Sequence, residues 1–138
     1  MRALAMIIGG LLCALSALHV YWALGGVRAG SAIPSRPDGT PLFRPGRIAT
    51  LAVAAALVVA GILVIARAGI VSPMLPVAWI RVGTWAVAAA FAARTIGEFR
   101  YVGLFRRVGG TTFARWDARL FTPLCFAVAA GTLVVAAS

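Results

Sequence analysis

The stretch IATLAVAAALVVAGILVIA, residues 48–66, decides the fold class. It is 19 residues long and carries no charge. At about 1.5 Å rise per residue, a helix of that length crosses a hydrocarbon layer ~30 Å thick. The run is continuously apolar, without the alternation that a membrane barrel strand needs. Inside lipid the backbone must satisfy its own polar groups, which also selects a helix.

Three further runs lie on either side of it. Leu4–Leu24 has 21 residues interrupted only by Ser16 and His19, Val77–Ile96 has 20 with Arg81 and Arg94 near its ends, and Leu120–Ala137 has 18 without charge. The fold class read from these runs is all-α: a polytopic membrane protein, a four-transmembrane-helix bundle with spans of about 4–24, 48–66, 77–96 and 120–137, in one domain covering residues 1–138. Composition agrees. The 138 residues are 62% hydrophobic and 12% charged, against ~45–50% apolar and ~25% charged in soluble domains. This excludes a water-soluble globule and a disordered chain. The first run follows Arg2 as a signal peptide would, but it is long, and no small-x-small cleavage site follows its core. It is expected to stay as a helix.

The connections are short. Gly25–Arg47 carries Pro34, Pro37, Pro41 and Pro45 and reads as an irregular loop. Arg67–Pro76 reads as a turn. In Gly97–Arg119, the Glu98–Phe105 stretch is a candidate extension of the third helix, broken by Gly109-Gly110. The fourth helix is expected to start near Asp117, with Pro123 as a kink.

All 13 basic residues are arginine, against 3 acidic residues, for a net charge of +10. Ten arginines fall on the side of the first and third loops, counting Arg94, and three (Arg2, Arg67, Arg81) on the other. The arginine bias predicts a multi-pass cell-membrane protein with those loops cytoplasmic and both termini outside. Arginines spread beside spans point to a bilayer with anionic headgroups as partner, not to nucleic acid.

Few polar residues lie at membrane depth. His19, the only histidine, falls ~7–8 Å inside the cytoplasmic boundary by helix rise, with Ser16 and Trp22 on the same face. Ionisable groups in spans tend to mark a pathway or site, although a neutral histidine bonded to a neighbouring helix explains the residue as well. Arg94 and Glu98 are spaced i,i+4 at the end of the third helix, followed by Arg100, and Asp117 precedes the fourth. The chain order brings His19, Trp22, Arg94, Glu98, Arg100 and Asp117 to one membrane face as a candidate polar cluster. In the functional reading, Glu98 or Asp117 orients or exchanges a proton with His19. In the structural reading, Arg94 pairs with Glu98 and Asp117 caps the fourth helix.

Cys13 and Cys125 lie in different spans and form no CxxC motif, so they read as small hydrophobes. One histidine and two distant cysteines make no zinc site. A lone histidine could be a single haem ligand, but no attachment motif accompanies it, so no cofactor is assigned. Gly9, Cys13 and Ala17 form a small-residue stripe suited to close helix packing, and Ala56, Ala60 and Val64 a weaker one.

His19-x-x-Trp22-x-x-Gly25-Gly26, Arg94-x-Ile96-Gly97-Glu98-Phe99-Arg100-x-x-Gly103 and Phe113-Ala114-x-x-Asp117 followed by Thr122-Pro123-Leu124-Cys125 together resemble a bacterial family of small four-helix integral membrane proteins catalogued as a domain of unknown function (domain of unknown function 3995). The resemblance covers essentially the whole chain. That family often has Asp at the position of Glu98. It implies a fold and a grouping of His19, Trp22, Glu98, Arg100 and Asp117, but no activity, cofactor or substrate. Three function classes follow. The first is a structural or accessory protein acting through partner helices or a second copy, and the reading favours it. The second is a binder or enzyme for a lipophilic small molecule at the His19/Glu98/Asp117 cluster, with Tyr21 and Trp22 as apolar walls. The third, a small transporter, lacks the mid-span acid that proton coupling needs.

Overall fold

The computed structural model describes residues 1–26, 29–72 and 74–138. The chain is all-helical, with no strand among the described residues. Four long helices follow one another: α1 (Arg2–Ala23), α2 (Arg47–Arg67), α3 (Val77–Ile96) and α4 (Thr112–Ala137). Three of them, α1, α2 and α4, are long and apolar enough to cross a membrane. Arg81 and Arg94, with Trp79, Trp85 and Thr84, lower the mean hydropathy of α3.

The first three helices start and stop within two residues of the sequence reading. The described residues of the first loop are irregular, as its prolines require, apart from a 3₁₀ turn at Ala29–Ala32 and an isolated bridge between Ser35 and Pro41. In the turn after α2, Pro73 lies outside the described residues.

The α3–α4 segment departs from the sequence reading. Glu98–Phe105 does not extend α3. Gly97 takes φ +83° and ends the helix at Ile96, a conformation that costs glycine least. Helix α4 begins at Thr112, before Asp117. Its cap is Thr111, whose hydroxyl accepts the Ala114 amide at 3.0 Å. Asp117 is therefore inside the helix and does not cap it. Pro123 falls just after a change in helix type. It lacks an amide hydrogen, and its ring would crowd the carbonyl of residue 119. A wide π turn spans Asp117–Phe121 just before Pro123, a rare form found as single turns inside α-helices.

The main pairings are α1 with α2 and α3 with α4. Helix α2 also touches α3, and α4 touches α1 and α2. The core is made of small and branched side chains: Ala5, Ile8, Leu12, Ala60, Val64, Val128 and Val135. Gly9 and Gly61 let α1 and α2 approach closely; a Cβ at Gly61 would lie 3.3 Å from the Gly9 carbonyl oxygen. Of the small-residue stripe, Gly9 is buried and Cys13 Sγ would lie 3.7 Å from a Cβ on Gly61, while Ala17 is exposed. Of the weaker stripe, Ala60 and Val64 are buried and Ala56 is exposed. Ser16 donates to the Ala54 carbonyl at 2.8 Å and ties α1 to α2 by a polar link. The outward faces are apolar, with Ile7, Val59, Val82, Phe126 and Val134 all exposed. Apolar surface of that extent marks contact with lipid or another apolar phase.

Candidate functional site

Asp117 gathers polar partners from three parts of the described chain, and it is 0% exposed. Oδ1 accepts from Arg94 Nη2 at 2.7 Å. Oδ2 accepts from the Gly103 amide at 2.9 Å and from the Thr122 hydroxyl at 3.1 Å. Arg106 Nη1 lies 3.5 Å from the same oxygen. The π turn explains the Thr122 contact: it stacks residue 122 over residue 117, and the Thr122 amide bonds the Asp117 carbonyl. A buried carboxylate needs this set of partners, because taking an ion out of water costs several kcal/mol, of order, before its contacts offset it.

The loop after α3 folds so that its backbone can reach Asp117. Gly97 and Gly103 both have positive φ. A Cβ on Gly97 would fall 1.8 Å from the Val102 carbonyl oxygen, and one on Gly103 would fall 2.6 Å from the Gly97 Cα. Glu98 turns back into this loop and accepts the amides of Arg100 (3.2 Å), Tyr101 and Val102 (3.1 Å). Phe99 takes φ +68°, a rare conformation for a bulky residue. Leu104 N–H closes the loop onto the Thr95 carbonyl at 2.9 Å, and Arg106 donates to the Gly103 carbonyl at 2.9 Å. The Arg94…Gly103 sequence motif is thus a tie between α3 and α4.

A cavity of about 440 Å³ lies beside this tie. Leu15, Leu18, His19 and Trp22 of α1 line it, with Val53 and Leu57 of α2, Ala90, Phe91 and Arg94 of α3, Leu120, Phe121, Leu124 and Cys125 of α4, and Ala32 of the first loop. Its size falls in the ~300–1,000 Å³ range of ligand pockets, and its walls are apolar with a few polar groups, as such pockets are. Those groups are His19 and Arg94. The His19 Nδ1–H donates to the Leu15 carbonyl at 2.8 Å, one helical turn back. The ring meets Trp22 edge-on at 5.1 Å. With Nδ1 as the donor, Nε2 of the neutral ring is an acceptor. Arg94 spends Nη2 on Asp117, while its Nη1 is buried without a hydrogen-bond partner among the described residues.

The candidate cluster therefore divides. Arg94 joins Asp117, and His19, Trp22 and Arg94 share the cavity. His19 bonds neither acid. Glu98 does not pair with Arg94, because Gly97 ends the helix between them and turns the glutamate into the loop. Arg100 stacks over the Tyr101 ring at 5.2 Å. Tyr21 lies outside the cavity lining, against Gly26. Sequence reasoning missed Arg106, the Gly103 amide and Thr122 as partners of the buried acid. Thr122-Pro123 was the available signal, since a proline inside a helix implies a local change of register. Among the described residues, no three His, Cys, Asp or Glu side chains gather as metal ligands would.

Residues 12–132 match the family model described as a protein of unknown function (DUF3995), and the chain belongs to that family. No curated protein and no solved structure matches the chain.

Proposed function

We propose that this member of the DUF3995 family is a four-span integral membrane protein that holds a lipophilic small molecule in the cavity beside Arg94. The observation that carries the reading is the cavity itself: about 440 Å³, walled by apolar side chains from all four helices, with two polar groups at its margin. The sequence alone favours an accessory role through partner helices. The cavity moves the weight to ligand binding, because it is a concave, largely apolar groove with a few polar groups, the form that small-molecule sites take.

Helix α3 serves as the fourth span in this reading. Arg94 is neutralised by Asp117 at 2.7 Å, and Arg81, near the other end of α3, can snorkel to the interface. The ten-to-three arginine count supports cytoplasmic first and third loops and outside termini. Cysteines placed singly at Ser35 and Ser138, in a background lacking Cys13 and Cys125, test this with an impermeant thiol reagent on intact cells. Ser138 labels and Ser35 does not; the opposite pattern reverses the orientation.

Ligand binding is tested by mass spectrometry of extracts from protein purified in mild detergent. Wild type should carry a lipophilic molecule enriched over the bulk membrane extract. Ala90→Phe, which fills the cavity from α3, should reduce that enrichment at least tenfold. An extract indistinguishable from bulk lipid in both proteins contradicts the reading.

A further inference from the structure

We infer that the cavity takes a single-chain amphiphile with a monoanionic head, a carboxylate in chemical class, whose head is held by Arg94. The inference rests on the ligand-binding reading above and adds the sign and number of charges on the ligand.

The charge count supplies the first argument. Arg94 and Arg106 bring two positive charges to the one negative charge of Asp117, at 2.7 and 3.5 Å. The one carboxylate is shared between two guanidiniums, so Arg94, the one of the two that lines the cavity, keeps capacity to pair with one further monoanion. The second argument is the hydrogen-bond inventory. Arg94 Nη1 is buried with no partner among the described residues, whereas buried polar atoms in native proteins are nearly always bonded. Its side chain is one-third exposed and lines the cavity. A modest turn of the guanidinium, with Nη2 kept on Asp117, presents Nη1 to an oxyanion as a charge-assisted bond. His19 stands on the same wall with its Nδ1–H committed to the Leu15 carbonyl; a neutral ring then offers only an acceptor at Nε2, so Arg94 alone supplies the donor to a carboxylate head. The third argument is size. About 440 Å³ is in the lower half of the ~300–1,000 Å³ pocket range, which suits a single acyl chain. Leu15, Leu57, Phe91 and Leu124 give that chain an apolar bed.

The test uses the full chain in nanodiscs at pH 8 with a fluorescent polyene fatty acid as probe. Dodecanoic acid, dodecanol and dodecyl phosphate compete for it. The inference predicts that dodecanoate displaces the probe at a concentration at least tenfold below dodecanol and below the more highly charged phosphate. Arg94→Lys keeps a cation beside Asp117 but loses the spare guanidinium nitrogen. It should reduce the acid-over-alcohol preference, read as the ratio of the two displacement concentrations within the same variant, at least threefold. Equal displacement by acid and alcohol overturns the anionic head and leaves the cavity reading standing. A preference for the phosphate overturns the monoanion, and an unchanged preference in Arg94→Lys overturns the role of Arg94. No saturable binding of probe, acid or alcohol overturns the cavity reading as well.

Discussion

The α1–α2 and α3–α4 connections each contain or border an aspartate among several arginines, and they use it in opposite ways. Among the described residues, Asp38 in the first loop bonds its near neighbour: its Oδ1 accepts from the Thr40 amide at 2.9 Å and the Thr40 hydroxyl at 2.7 Å. Arg36 completes the turn by donating to the Pro41 carbonyl at 3.2 Å. All of this lies within six residues and is exposed to solvent. Asp117 is fully buried and gathers partners from α3, the α3–α4 loop and its own helix. An acid that satisfies its own turn organises a loop, while an acid that collects distant donors fixes how helices meet.

The largest break in this comparison should come from Asp117→Ala. Removing one partner of a buried ion pair costs ~3–5 kcal/mol, and here it strands Arg94 and frees the Gly103 amide. Unfolding in detergent should show a loss of that order. Gly103→Ala comes next. Its Cβ would meet the Gly97 Cα and the Ile96 carbonyl, both at 2.6 Å, and the loop could not keep its amide on Asp117. A loss of ~1–3 kcal/mol follows from the unmade bond and the strained φ. Glu98→Ala removes an acceptor for three solvent-exposed amides, which water can replace in part, so about 0.5–1.5 kcal/mol should be lost. Glu98→Gln should recover most of it, since the amide oxygen still accepts.

The smallest effect belongs to Asp38. The bond from the Thr40 hydroxyl, then that from the Thr40 amide, holds its carboxyl below the ordinary aspartate range, with Arg36 adding to the effect. A folded pKa below the unfolded one means that the contribution is present above about pH 4 and lost as pH falls through the lowered folded value. Asp38→Ala should leave the melting temperature unchanged at neutral pH. Acidification below pH ~4 should loosen only the 36–40 turn, read from exchange of the Thr40 amide. A global change in stability from Asp38→Ala would make the two loops alike and remove the contrast.

Much of the fold was legible because apolar length is a strong signal. α1, α2 and α3 appear within two residues of where hydropathy puts them. The α3–α4 segment was harder to read because its order comes from tertiary contacts. Glu98–Phe105 has helical composition, but Gly97 at φ +83° and the Gly97–Val102 approach override that local preference. Asp117 looked like a helix cap because it precedes an apolar run, yet Thr111 had the capping chemistry and the better place. The membership of the cluster was half readable. Chain order alone brings Arg94 and Asp117 to one end of the helices, but it cannot say that Arg94 chooses Asp117 over Glu98, or that His19 turns to its own helix backbone. Those choices depend on side-chain reach and on the π turn before Pro123, neither of which periodicity encodes.

The central claim is that Arg94 belongs at once to the Asp117 tie and to the cavity, and that His19 belongs to the cavity without being bound to either acid. Double-mutant cycles on unfolding in detergent test it most directly. Arg94→Ala with Asp117→Ala should be non-additive by ~0.5–3 kcal/mol, as for residues in contact. His19→Ala with Asp117→Ala, and His19→Ala with Glu98→Ala, should add within ~0.3–0.5 kcal/mol. Additivity of the Arg94 and Asp117 losses, or coupling of His19 to either acid beyond that range, would contradict the account.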